Sequence, residues 1–260
     1  MVLRTRETSS ARRHRGYVLL LCTCLGVMVC LVLPSHLRAL STLGYLCLPL
    51  VLIRSLGMYI RERRWSVLRT RFYRLLAIIT FSWSLVWYLA SLVQSRVSTP
   101  LLLFWALLVG WSCERLIRNL SLERRINGEV LMGALAGYLL LGLTAGLLFS
   151  VLETVVPGSF VGAGVLQPPV LSIHGAPPEP SSPVWSIDFV QLNYFAFVTL
   201  TTTGYGDIHP ATPQTQMLCS LVAISGTMYL ALVMGLLISR YTVQDAAETA
   251  ASDPDDDAAT

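Results

Sequence analysis

Uncharged apolar stretches alternate with short arginine-bearing ones along nearly the whole chain. Runs at 16–33, 39–60, 75–93, 101–113, 130–152 and 216–239 read as six membrane-spanning helices, a bilayer core needing about 20 helical residues. The apolar, aromatic run 187–200 is too short to cross and reads as a re-entrant helix. Residues 114–129 set Leu116, Ile117, Leu120 and Ile126 among Arg115, Arg118, Arg124 and Arg125, the pattern of an amphipathic linker helix lying on the membrane surface. Residues 153–185 hold seven of the 13 prolines and cannot span, so they read as an extramembrane loop. The polar stretch 1–15 reads as a tail, and 241–260, with six carboxylates and little that is apolar, as a disordered one. In the fifth run Gly133, Gly137, Gly142 and Gly146 form two small-xxx-small pairs that admit a neighbouring helix closely.

Composition supports the pattern. The chain is 54% apolar and 13% charged over 260 residues, with mean hydropathy +0.61; soluble domains carry about twice that charge. The expected fold class is an all-α membrane protein. The first apolar run starts like a signal peptide, but it is long and no Ala-x-Ala site follows, so it is read as an uncleaved span. The six cysteines all fall in apolar runs without metal-site spacing, and read as small buried residues.

Charge placement orients the spans. All 19 basic residues are arginine, and 16 lie in 1–15, 61–74, 114–129 or at Arg240. With both termini cytoplasmic, only Arg38 and Arg96 fall outside, and Arg54 lies within a span. That is the expected cytoplasmic bias of a multi-pass protein in the plasma or inner membrane.

One polar stretch remains. Thr201-Thr202-Thr203-Gly204-Tyr205-Gly206-Asp207 sits between the re-entrant helix and the last span. Irregular backbone at membrane depth is tolerated only where it lines a cavity or path, since each unpaired polar group costs several kcal/mol. Rings of backbone carbonyls can replace the hydration shell of a potassium ion. Gly204 and Gly206 allow the positive φ values that aiming successive carbonyls at one axis requires. Tyr205 can turn its ring away from that axis, and Thr202 can add its hydroxyl as the innermost ligand. The C-terminal end of the short helix before them favours a cation through its partial negative charge.

Leu200 to Asp207 resembles the signature sequence of potassium channels, and residues 130–240 resemble their pore domain: outer helix 130–152, extracellular loop 153–185, pore helix 187–200, filter 201–207, inner helix 216–239. The resemblance implies Thr202, Thr203, Gly204, Tyr205 and Gly206 as filter residues, with K+ held on the carbonyls of Thr202 to Tyr205. It also implies a homotetramer; one loop per chain cannot itself make a ring. Thr203 stands where many members have valine. Val198 stands where some have a glutamate facing the filter aspartate, which leaves Asp207 to be braced by Tyr194 or Trp185, with Thr201 supporting the loop. Gly226 falls at the family's inner-helix hinge, and Gly235 could serve nearer the cytoplasm. Thr227 and Met234 face the cavity if the family's register holds.

Several functions are disfavoured. A voltage sensor needs spaced arginines within the fourth span and carboxylate partners nearby; 101–113 is uncharged, and Glu62 is the one carboxylate between Arg15 and Glu114. The first four runs, 16–113, are therefore read as a membrane domain of another kind. An intramembrane enzyme would need facing polar groups within spans, whereas His14, His36, His174 and His209 all lie in tails or loops. No cofactor other than permeant K+, and no nucleic-acid partner, is expected; gating by an unidentified partner is left open. His209, just past Asp207, is a candidate outer-mouth pH site, because imidazole titrates near neutrality. The remaining alternatives are a weakly selective cation channel and a non-conducting modulatory subunit.

Overall fold

The computed structural model describes residues 2–32, 48–52, 64–90, 99–121, 123, 127–162 and 187–252. Its elements are α1 (Val2–Val32), α2 (Arg64–Ala90), α3 (Thr99–Ser121), α4 (Gly128–Val155), β1 (Phe160–Gly162), α5 (Ile187–Leu200), β2 (Ile208–Pro210), α6 (Pro213–Met228), a π-helical turn (Tyr229–Met234) and α7 (Gly235–Ser252). Among the described residues, Pro100–Ser121, Gly128–Val155 and Pro213–Gln244 are long and apolar enough to cross a membrane. Gly16–Leu31 and Phe189–Leu200 are shorter apolar helices. Of the expected second span, 39–60, only 48–52 is described, as helix.

α4 is the hub. α3 packs along one side of it, α1 along another, and the re-entrant α5 along a third, while α2 pairs with α3. Its apolar character all round suits a helix enclosed by neighbours. One core joins α1, α3 and α4 through Leu20, Leu101, Trp105, Val109, Leu116, Leu140 and Leu147. A second lies beneath α5, where Phe149, Phe160 and Phe195 form a ring trio with centroids 5.1–5.6 Å apart. Each such pair adds about 0.5–1.5 kcal/mol beyond its buried area.

The glycines of α4 do more than admit one helix. A Cβ at Gly133 would lie 2.9 Å from the Tyr17 ring of α1. At Gly137 it would meet the Tyr229 hydroxyl, at Gly142 the Phe197 ring, and at Gly146 the Asn193 amide. Asn193 and Phe197 are one turn apart on α5, so the second pair of notches sets that helix antiparallel against α4.

Three expected boundaries move. The linker helix over 114–129 does not form a separate element: α3 runs on to Ser121 and α4 begins at Gly128. No breaker separates Cys113 from Glu114, and Leu116 and Leu120 extend the buried stripe of Trp105, Val109 and Ser112. Glu114 and Arg118 occupy the exposed face and pair at 2.6 Å. The tail expected to be disordered is helical through Ser252, because its first half is alanine-rich and no Gly or Pro intervenes between Gly235 and Pro254. The N-terminal tail likewise belongs to α1, helical from Val2.

Candidate functional site: the loop after the re-entrant helix

α5 ends at Leu200 and the chain stays bound to it. The amide of Thr201 donates to the Phe197 carbonyl at 2.9 Å, that of Thr202 to Thr199 at 3.0 Å, and that of Thr203 to Val198 at 3.0 Å. The last carbonyls of a helix, which lack partners within it, are thus satisfied by the loop. Val198, buried, supplies the carbonyl under Thr203, so its structural part is played by backbone, with no carboxylate at that place.

The backbone then alternates. Thr202 has φ +57°, Gly204 +57° and Gly206 +78°, with Thr203 and Tyr205 between them on the ordinary side. Such alternation turns successive peptide carbonyls to one side of the strand. Two of the three positive values fall on the glycines read for that purpose. The third was not legible: Thr202 is the one non-glycine residue at positive φ among the described residues. For a β-branched side chain this costs about 1–3 kcal/mol, and such strain persists where surrounding structure over-determines it. Here the bonds from Thr201, Thr202 and Thr203 to the helix supply that constraint.

The Asp207 end of the loop is fastened by side chains. Tyr194 donates from its hydroxyl to Asp207 Oδ2 at 2.8 Å, and Asp207 Oδ1 accepts from the Ile208 amide at 3.1 Å. The Tyr194 and Tyr205 rings are parallel within 6° at 6.5 Å. Tyr194 lies on a helix too short to cross a membrane, and its phenol is pushed above its ordinary range, first because the Asp207 carboxylate holds its proton. Of the two residues expected to brace Asp207, Tyr194 does so; Trp185 lies outside the described residues.

Beyond Asp207 a short ribbon anchors the chain. β1 and β2 pair antiparallel, Phe160 opposite Pro210, Val161 opposite His209 and Gly162 opposite Ile208. The buried Glu153, at the outer end of α4, accepts from the amides of Gly158 (2.8 Å) and Phe160 (3.0 Å) and so shapes the turn into β1. The Ser159 carbonyl receives the Ala211 amide at 2.8 Å and the Thr215 hydroxyl at 3.1 Å. Thr212 and Thr215 form a capping box that starts α6, with Pro213 in its first turn. Sequence reading placed no role on Glu153; its signal was a lone acid at the end of an apolar run. His209 is exposed beside this ribbon, facing neither Asp207 nor another acid through any described bond.

At the Leu200 end of the loop, Gly226 sits against the Leu200 carbonyl so closely that a Cβ would collide with it. That carbonyl also receives the Tyr138 hydroxyl at 3.5 Å. Gly226 is thus a packing notch within regular α-helix, and the departure from α geometry comes one turn later, at Tyr229–Met234. Tyr229 enters α4 beside Gly137 and donates to the Ala134 carbonyl at 2.6 Å. Gly235, with ordinary helical φ of −59°, follows the π turn. Thr227 is exposed, as a cavity-lining residue would be, with its hydroxyl turned back onto Ile224. Met234 is half-buried and packs on the chain's own core. The wider π turn carries an extra residue, which rotates positions after Tyr229 out of the simple α register assumed for Met234.

No cluster of three or more His, Cys, Asp or Glu able to hold a metal occurs among the described residues. Chemically, the loop offers backbone carbonyls and threonine hydroxyls, ligands suited to a large monovalent cation. Residues 169–243 match the family model described as "Ion channel". That segment contains α5, the loop from Thr201 to Asp207 and the whole of α6. Fold and composition define the class as an all-α membrane protein, and its residues 169–243 are similar to an ion-channel domain.

Proposed function

We propose that the chain is one subunit of a potassium-selective homotetrameric channel, passing K+ down its electrochemical gradient. The observation that carries this reading is the alternating φ from Thr202 to Gly206, which fits a column of carbonyls from Thr202, Thr203, Gly204 and Tyr205 facing one path. Each level then has one ligand per chain, and four copies around an axis give each ion a cage that replaces its water.

Three further features support the reading. Thr201 to Asp207 is exposed along its length in the single chain, Tyr205 by 70%, as a lining completed by other copies would be. Met217, Leu221, Ile224, Met228 and Leu232 leave an apolar stripe exposed on the inner helix, which suits contact with a neighbouring subunit. The arginine bias fits six spans with both termini in the cytoplasm and Asp207 at the outer mouth. The ion needs no resident cofactor, and the reading leaves room for an unidentified gating partner. Flux into liposomes carrying the purified chain tests the proposal. Potassium uptake blocked by barium and lost in Gly204→Ala is the expected result; equal uptake of sodium would defeat selectivity.

A further inference from the structure

Behind the loop lies a second hydrogen-bond chain, in which side-chain hydroxyls donate. The Thr201 hydroxyl donates to the Phe197 carbonyl at 2.8 Å. It also lies 2.8 Å from the Thr203 hydroxyl. A hydroxyl has one proton, and the Phe197 carbonyl can only accept. With the Thr201 proton on the helix carbonyls of Phe197 and Val198, Thr203 is the donor in the pair. The direction runs from Thr203 through Thr201 to the last turn of α5.

The position of Thr203 makes this bond consequential. It is flanked by Thr202 and Gly204, both at φ +57°, so its two peptide planes pivot between left-handed neighbours. Its amide is held on Val198 at 3.0 Å, but its carbonyl belongs to the next peptide plane, whose Gly204 amide reaches the same Val198 carbonyl only at 3.5 Å. Val198 offers no acid to steady the loop at this level, and Tyr194 acts four residues further on, at Asp207. Both threonines also line a cavity of about 600 Å³ beside α5, walled by Met28, Leu31, Phe197 and Tyr205 among others.

We infer that the Thr203 hydroxyl is a positioning group: it locks the middle of the ion path to the re-entrant helix and holds the Thr203 carbonyl toward the ion. A valine here fills the same space and cannot make the bond. This inference rests on the potassium-channel reading.

The test uses the full chain in planar bilayers, with potassium current followed during sustained opening at high and then low external potassium. Thr203→Val is expected to make the current decay about fivefold faster at low potassium, the size of effect one modest hydrogen bond supports. Thr203→Ser, which restores only the hydroxyl, stays within about twofold of the unaltered chain. Thr201→Val reads the same bond from its other end and should match Thr203→Val, with the double variant no worse than either. Equal decay in Thr203→Val and the unaltered chain, additive defects in the double variant, or a serine variant as impaired as valine would each overturn the inference. Absence of potassium current from the unaltered chain would instead overturn the channel reading itself.

Discussion

The two halves of the chain use polar groups differently. From α4 onward, polar side chains tie elements far apart in sequence: Tyr229 to Ala134, Tyr138 to Leu200, Thr215 to Ser159, Tyr194 to Asp207. Each bond ends on or near irregular backbone, which needs outside constraint. In the first half the described cross-helix ties join α2 to α3: Tyr73 with Ser112 at 2.8 Å, Trp105 with Ser84 at 3.0 Å, and Arg115 with Thr70 at 3.4 Å. They join regular helices and shape no loop. α1 and α3 stand against α4, so among the described residues the first half is a layer packed on the second. One half is built to hold a strained path; the other stiffens a wall.

If that division is right, the largest effect should come from filling the notch under the path. Gly226→Ala drives a Cβ into the Leu200 backbone carbonyl, which cannot swing aside as a flexible side chain can. Overpacking of this kind costs about 1–3 kcal/mol, so thermal unfolding in detergent should fall by several degrees and ion flux should be largely lost. Gly235→Ala meets only the Leu230 carbonyl at an ordinary 4.0 Å, at ordinary helical φ, and should be neutral or stabilising by up to about 1 kcal/mol. Were Gly226 a hinge instead, its alanine variant would unfold like the unaltered chain and change only opening.

In the first half the heaviest single effect is expected at Arg115. It is 2% exposed, with its guanidinium 4.9 Å from the centre of the Tyr73 ring. A desolvated contact of this kind is worth about 2 kcal/mol. Arg115→Met should lower the unfolding temperature while leaving the voltage dependence of opening unchanged. Arg118→Met removes only an exposed pair with Glu114 and should change stability by no more than about 0.5 kcal/mol. A loss of voltage dependence in Arg115→Met would give the first half a sensing role.

The same contrast separates what was legible in sequence. The loop and the re-entrant helix could be read because glycine, threonine and charge are rare at membrane depth, and each has a physical reason to be there. The α4 glycines were legible as notches, but not that they receive residues from three different elements, since spacing names no partner. Arg115 was read as interfacial because hydropathy scores a charge without the tyrosine that shelters it. Thr202 was unreadable as a strained residue, as the tethers forcing its φ are hydrogen bonds rather than residue types. The π turn leaves no Pro, Gly or other breaker between Tyr229 and Met234, and with it went the register of Met234.

At the outer mouth a smaller effect is expected from Tyr194→Phe. The ring and its stacking on Tyr205 survive, and only the bond to Asp207 is lost. Current decay should quicken several-fold, less than if the ring were also removed by Tyr194→Ala. The pH sign comes from the phenol's raised range. The donor form is intact below the ordinary tyrosine value of 10.0 and is lost as pH rises through its higher folded value. Outer-mouth behaviour should therefore stay flat through mildly alkaline conditions in the unaltered chain. An alkaline change below about pH 9 that vanishes in Tyr194→Phe would contradict the bond as drawn.

The weakest expected effect is at His209, and it also tests whether the outer ribbon acts on the ion at all. The residue is exposed and held by the Val161 pairing two positions beyond Asp207. In a tetramer four such imidazoles would ring the mouth, and protonation would add positive charge where cations enter. The groups are solvated, so the field is screened over about 10 Å at 0.1 M salt and should alter current by no more than about twofold. Single-channel current compared at external pH of about 7.5 and about 5.5 measures it, in the unaltered chain and in His209→Gln. A reduction in acid that is larger at low ionic strength and absent in the glutamine variant would show that the ribbon shapes the ion's approach. The same reduction in both chains would leave the ribbon a purely mechanical part, holding Asp207 from behind while the carbonyl column alone meets the ion.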